Sequence, residues 1–277
     1  MLVFPNSKIN LGLNITQKRA DGFHDIETVF YPIAWRDALE VIENHDSEEL
    51  FTFSQSGILI DGKKEDNLIY KAWQLLSEIK PIPPIKVHLH KNIPMGAGLG
   101  GGSADAAFFI ELIDKKFAFN LKFSQKSALA SKLGSDCSFF IKNSPVLATG
   151  RGDSFADVRV DLRNYYILTV YPGTHSNTKE AYSNCIPRQP EKDLRLVVEK
   201  IPIGEWKYHL KNDFEETVFK RYPQIKELKD ALYNSGAIYA CMSGSGSSVF
   251  GIFDKTPNIH LNTNYKFYLQ TPASKIL

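Results

Sequence analysis

Pro94-Met95-Gly96-Ala97-Gly98-Leu99-Gly100-Gly101-Gly102-Ser103 carries five glycines in seven positions, followed by Ala104-Asp105-Ala106-Ala107. Without Cβ atoms, such a run can adopt positive φ and let its backbone come close to a ligand. It leads into a segment with the composition of a buried helix. The first N–H groups of a helix lack internal partners and carry the positive end of its dipole. Backbone amides aimed from a loop and a helix start make an anion site suited to phosphates. Ser103 is placed to cap that helix, and its hydroxyl to reach a phosphate or a metal ion.

Gly96, Gly98 and Gly101 satisfy G-x-G-x-x-G, but a dinucleotide site also needs a following parallel strand that ends in an acid. The segment after the first helix is a second helix, Ser124–Leu133, closed by Gly134. A Walker A loop needs Lys-Ser/Thr after its last glycine, and this chain has Ser103-Ala104. The catalytic motifs that accompany a protein-kinase glycine loop are absent.

Two further residues could take part in group transfer. Lys8 sits on an alternating segment in which Ile9, Leu11, Leu13 and Ile15 face one way and Lys8, Asn10, Gly12 and Asn14 the other. Asp136 follows Gly134-Ser135. By residue type alone Lys8 fits a solvated strand face, and Asp136 fits a helix N-cap.

The elements that must position these groups follow from periodicity. Strands are expected over residues 23–33, 38–43, 50–54, 58–60 and 85–89, forming a mostly antiparallel opening region. Asp66 reads as the N-cap of a helix with Leu68, Ile69, Ala72, Trp73, Leu76 and Ile79 at helical spacing, stopped by Pro81, Pro83 and Pro84. A helix is expected from Ser103 to about Lys116. Beyond the turn at Gly150-Arg151-Gly152-Asp153 come a strand over 165–171, a helix over 222–235, and strands over 237–242 and 249–253 around Ser243-Gly244-Ser245-Gly246-Ser247-Ser248. The fold class is α+β in two domains, 1–154 and 155–277.

Composition narrows the function classes. A formal charge of +2 argues against nucleic acid as a partner. Cys137, Cys185 and Cys241 supply neither metal-type pairs nor a disulfide framework, which points to a reducing compartment, the cytoplasm. No apolar run reaches the ~18 residues of a membrane span, and the first residues lack the pattern of a signal peptide.

Pro5-Asn6-Ser7-Lys8-Ile9-Asn10-Leu11, the loop PMGAGLGGGSADAA and the late SGSGSS turn together resemble the GHMP kinase superfamily. Arg19-Ala20-Asp21-Gly22-Phe23-His24 and Leu133-Gly134-Ser135-Asp136 are similar to motifs of the branch that phosphorylates the 2-hydroxyl of a cytidylylated methylerythritol. These motifs run in the same order from about Lys8 to Phe250. The resemblance implies a ribosomal-protein-S5-like N-terminal domain and a ferredoxin-like C-terminal domain. It implies ATP, with Mg²⁺ whose ligands are unassigned, and a small-molecule substrate carrying a cytidine diphosphate moiety. A monomer or homodimer without nucleic-acid or membrane partners is expected. Other expectations left open are a branch acting on homoserine or a mevalonate-like alcohol, and a catalytically silent nucleotide-binding module.

Residue by residue, the resemblance assigns Asp136 as catalytic base and Lys8 as its partner. A carboxylate that accepts the alcohol proton typically contributes about 10²–10⁴ in rate. Pro94, Gly96, Gly98, Leu99, Gly100, Gly101, Gly102 and Ser103 would hold the ATP phosphates, with Asn67 and Lys91 near the adenine. Asn10, Phe23, His24, Thr178, Tyr182 and Gly244 would contact the substrate, Phe23 and Tyr182 as aromatic faces for cytosine. Two departures from the family pattern stand out: Phe23 occupies a position commonly held by Tyr, and Cys137-Ser138 replaces a Val-Pro pair after the aspartate.

Overall fold

Alternating apolar side chains build three four-stranded sheets among the described residues, 1–183 and 185–272 of a computed structural model. The chain divides into two compact units, and both are discontinuous in sequence. The first comprises Met1–Ser7, Trp35–Met95 and Gly100–Ser144; the second comprises Lys8–Ala34, Gly96–Leu99 and Pro145–Leu277.

In the first unit, β1 (Leu2–Val3), β4 (Ala38–Glu43), β6 (Ile85–Lys91) and β5 (Phe51–Gly57) form a sheet in the order β1-β4-β6-β5. Burial alternates along β6, with Ile85, Val87, Leu89 and Lys91 turned inward. Helices α1 (Leu68–Ser77), α2 (Gly101–Lys116), α3 (Phe123–Leu133) and α4 (Cys137–Lys142) cover that inner face. Val41, Phe51, Val87 and Leu89 share one core with Ile69, Leu76, Phe109, Ile110 and Ile113. Each fully buried side chain of this size contributes about 1.5–3 kcal/mol of transfer free energy.

Four local expectations change. The β5–β6 pair is parallel, Phe51 facing Ile85 in register, so this region is not purely antiparallel. A parallel pair needs a long crossover, and α1 supplies it. Residues 58–60 are not a strand. The Gln55 carboxamide donates to the Ile60 carbonyl at 3.2 Å and accepts from the Ile60 N–H at 3.3 Å, folding the segment back on β5. The N-cap of α1 is Asn67, whose Oδ1 accepts from Ile69 N at 2.9 Å, and not Asp66. Similarly, α2 starts at Gly101 with Gly100 as N-cap at φ +71°, so Ser103 lies inside the first turn and caps nothing.

The second unit holds the other two sheets, apart from the strand ends 6–7 and 35–36. In one, β2 (Asn6–Lys18), β3 (His24–Arg36), β7 (Val146–Thr149) and β8 (Ser154–Asp157) lie in sequence order. In the other, β10 (Tyr239–Met242), β11 (Val249–Phe253), β9 (Tyr166–Tyr171) and β12 (Lys266–Gln270) pair antiparallel in the order β10-β11-β9-β12. Helices α5 (Thr178–Ser183), α6 (Leu194–Lys200), α7 (Glu215–Arg221) and α8 (Pro223–Asn234) belong to this unit. Leu13, Ile15, Leu168, Val170, Phe214, Val218, Ile225 and Leu228 form its core. Burial does not alternate along β2: Asn6 to Ile15 are buried on both faces. Lys8 is therefore not on a solvated face.

Candidate active site

Strand β2 presents Lys8 only 3% exposed, an expensive place for a charge unless polar groups meet it. Its backbone N–H donates to the Leu99 carbonyl at 3.0 Å. Its ammonium donates to Asn10 Oδ1 at 2.8 Å and to the Gly98 carbonyl at 3.1 Å, and lies 4.8 Å over the Phe30 ring. Asn10 is oriented in turn, because its Nδ2 donates to Thr28 Oγ1 at 2.9 Å. The side of β2 that carries Lys8 and Asn10 is thus bonded directly to the first half of the glycine run.

The same half is fixed from the turn between β10 and β11. Ser243 Oγ donates to the Gly98 carbonyl at 2.8 Å and to Asn10 Oδ1 at 3.3 Å, and Ser248 N donates to the Ala97 carbonyl at 3.1 Å. Gly98 has φ +78°, and a Cβ there would run into the Ser243 carbonyl oxygen. Gly244 approaches so closely that a Cβ on it would lie 3.2 Å from Gly98 Cα. Asn212 Nδ2 donates to the Met242 and Gly244 carbonyls, each at 2.8 Å, which sets the start of that turn. Sequence reasoning missed Ser243 and Asn212; a lone Asn in a loop carries no signal, whereas the turn around Ser243 had been singled out for its glycines. Thr178 joins the turn through a 2.9 Å contact with Ser245 Oγ.

A second cluster in this unit holds the aromatic residues. Asp21 Oδ1 accepts from Phe23 N at 3.1 Å and closes the turn ahead of β3. Phe23 is 55% exposed, with the Arg151 guanidinium 5.2 Å from its ring centroid. Tyr182 stacks on His24 at 5.1 Å and 23°, and meets Phe214 edge-on at 4.8 Å. Tyr182 therefore faces His24, and that pair stands too close to admit a base between its rings. Burial, assisted by Lys18, lowers the His24 pKa, so the neutral ring offers one donor and one acceptor.

The first unit carries the other expected residues. A cavity of about 330 Å³ is lined by Asn67, Leu68, Met95, Gly102, Asp105, Lys63 and Lys64 among others. Lys91 closes β6. Its side chain is 0% exposed and its ammonium is held between Asp37 Oδ2 and Asp105 Oδ2, the latter at 2.7 Å. Two of its three N–H donors are thus met by carboxylates, and the side chain is enclosed. Asp105, missed from sequence, stands on the cavity wall instead. Its pKa is pushed up to about 7, first by burial, with Lys91 opposing.

Asp136 is half-buried at the N-cap position of α4, yet its side chain makes no capping hydrogen bond. The turn carrying it is held without a proline. Cys137 N donates to the Gly134 carbonyl at 3.1 Å, and Ser138 Oγ donates to the Ser127 carbonyl on α3 at 3.1 Å. Cys137 is buried, which raises its thiol to about 11, with the neighbouring Ser103 hydroxyl acting in the opposite direction. One residue thereby connects the first turn of α2 to the Asp136 turn.

No group of three or more His, Cys, Asp or Glu among the described residues is arranged to hold a metal ion. None of the described helices is long and apolar enough to cross a membrane.

The family model for the GHMP kinases N terminal domain matches residues 67–144, and that for the GHMP kinases C terminal domain matches residues 190–260. The chain is 49% identical over 259 residues to 4-diphosphocytidyl-2-C-methyl-D-erythritol kinase of Bacteroides fragilis, covering 94% of each. It is 47% identical over 266 residues to the enzyme of that name from Cytophaga hutchinsonii, covering 95% of this chain and 97% of the relative. A crystal structure of 4-(cytidine 5'-diphospho)-2C-methyl-D-erythritol kinase superposes with a TM-score of 0.77 at 27% identity, over 91% of this chain and 90% of the other.

Proposed function

Because the chain belongs to the GHMP kinases, and within them to the 4-diphosphocytidyl-2-C-methyl-D-erythritol kinases, we propose that it moves the γ-phosphoryl group of ATP onto the 2-hydroxyl of 4-diphosphocytidyl-2-C-methyl-D-erythritol, with Asp136 accepting the hydroxyl proton. It is an ATP-dependent small-molecule kinase of isoprenoid biosynthesis, of α+β fold. The observation that carries the site assignment is the bonding of Lys8 to the glycine run through Leu99 O and Gly98 O.

Phosphoryl transfer depends on positioning and on electrostatic stabilisation more than on covalent chemistry by the protein. In this reading Gly96 to Ser103 present backbone N–H groups to the phosphates, and α2 adds its N-terminal dipole. The cavity beside Asn67 and Gly102 takes the nucleoside. Lys8 supplies positive charge near the attacking oxygen, its ammonium aimed by Asn10 and Gly98. Asp136, whose carboxylate is not spent on capping α4, serves as base. Phe23 offers an exposed face for cytosine, while neutral His24, braced by Tyr182, offers ring nitrogens to the polar edge of the base. Thr178 and Gly244 border the same turn and suit the substrate's diphosphate. Mg²⁺ fits as an ion carried largely by the nucleotide phosphates, since Mg²⁺ keeps several waters and takes few protein ligands. It would neutralise phosphate charge, with the Ser103 hydroxyl as a candidate ligand. The family-domain boundary is proposed at residues 154/155, and the cytoplasm as compartment.

The test is turnover. Purified protein with ATP and the diphosphocytidyl substrate should form ADP and a 2-phosphate, and Asp136→Ala should lower kcat by about 10²–10⁴. Turnover on homoserine or mevalonate but not on the cytidylyl alcohol would move the chain to another branch; an undiminished Asp136→Ala enzyme would remove the assigned base.

A further inference from the structure

The cluster of Asp37, Lys91 and Asp105 buries two carboxylates against one ammonium, and its two acids are treated very differently. Asp37 is saturated: Oδ2 accepts from Lys91, and Oδ1 accepts from Asn92 N at 2.6 Å and Ile93 N at 2.8 Å. Asp105 is 2% exposed; its Oδ2 accepts from Lys91 and its carboxyl also meets that of Asp37, while its Oδ1 is buried and accepts no N–H or hydroxyl donor. Buried acceptors are rarely left this way, and an exception calls for a missing partner. Asp37 does not line the cavity, whereas Asp105 does, three residues along α2 from Gly102, which also lines it. The cluster also abuts the exit of the glycine run, since a Cβ on Gly101 would lie 2.9 Å from Lys91 Nζ.

We propose that Asp105 is a specificity-determining residue, its Oδ1 accepting one hydrogen bond from an N–H or O–H donor of the nucleoside bound in the cavity beside Asn67 and Gly102. The inference rests on the assignment of that cavity to the nucleotide. A nucleoside presents two classes of donor, the 6-amino group of adenine and the ribose hydroxyls, and either meets the same need. A donor brought to Oδ1 also favours the ionised carboxylate against the burial that raises it to about 7. Lys91 is the positioning residue in this scheme. It holds Oδ2 and so leaves Oδ1 to the ligand, which explains how a fully enclosed lysine bears on nucleotide binding.

The test compares kcat/KM for ATP, inosine triphosphate (no 6-amino group), 2′-deoxy-ATP and 3′-deoxy-ATP, with the cytidylyl alcohol saturating, at about pH 8 where the carboxyl is ionised. Wild-type enzyme should prefer ATP over one of the three analogues by roughly ten- to a hundredfold, the loss expected when a buried acceptor loses its donor. Discrimination against inosine triphosphate assigns the base, and against a deoxy analogue the sugar. In Asp105→Asn, Lys91 has only donors, so it draws the carboxamide oxygen toward itself and leaves the NH₂ donor at the cavity. That variant should lose the preference through a raised KM for ATP, with kcat little changed. Asp37→Asn perturbs the same cluster away from the cavity and should keep the preference. Equal use of all four nucleotides by wild-type enzyme overturns the proposal without any variant. Preferences unchanged in Asp105→Asn, or lost equally in Asp37→Asn, overturn it too. Absence of saturable ATP turnover in the wild type would instead remove the cavity assignment, and this inference with it.

Discussion

Lys8 in the second unit and Lys91 in the first are both buried strand lysines beside segments of the glycine run, and they differ in what holds them. Lys91 donates to two carboxylates and shows no surface at all. Lys8 donates to the Asn10 amide oxygen on its own strand and to the Gly98 carbonyl of the glycine run. Enclosure between carboxylates neutralises the first ammonium and makes it a bolt that fastens α2 to β6. Bonds to Asn10 and to the glycine run orient the second toward the loop. Burial alone does not distinguish a structural lysine from a reactive one; the element to which its ammonium is bonded does.

Replacing each lysine by Met should separate the two roles. Lys91→Met leaves buried carboxylates uncompensated and should cost about 3–5 kcal/mol of stability in urea unfolding. Lys8→Met should instead lower kcat by about 10²–10³, as expected for removal of one electrostatic donor. The reverse pattern would break the comparison.

The two halves of the glycine run offer a smaller contrast. Gly98→Ala must hold φ +78° and push back the Ser243 carbonyl, so a loss of about 1–3 kcal/mol with a raised KM for ATP is expected. Gly102→Ala sits in the first turn of α2, where a Cβ meets only Met95 Cε at 3.8 Å. Thermal melts should show it neutral, or more stable by up to about 1 kcal/mol from helix propensity.

The pH dependence of stability gives the smallest effects. Native Asp105 keeps its proton up to about 7, whereas the unfolded carboxyl releases it near 4. Between those values the native state binds more protons, so this group's contribution falls as pH rises through the window and is level above it. Asp105→Asn should flatten that slope in urea midpoints taken across the window. Asp161 has the opposite sign. Side-chain and backbone hydrogen bonds from Arg163 hold it at about 2, so its contribution is present above 4 and lost on acidification. The pair is exposed and screened, so Arg163→Ala should move the Asp161 titration followed by NMR and hardly move the melting temperature.

Residue type and spacing alone determined much of this protein. The glycine run, the alternation that makes β2, the periodicity of α1 and α8 and the strand at Val249–Phe253 are local properties, readable because they depend on neighbours a few residues apart. The motifs that mark a GHMP kinase are local too. Tertiary structure decided the rest. Asp37 and Asp105 meet Lys91 across 54 and 14 residues, and Asn212 reaches Gly244 across 32, contacts that no local pattern encodes. The parallel β5–β6 pair and the interleaving of two units likewise depend on which distant segments pack together. A sequence states what a side chain is able to do; the partners and the burial that folding brings to it settle whether a lysine fastens a helix or faces a substrate.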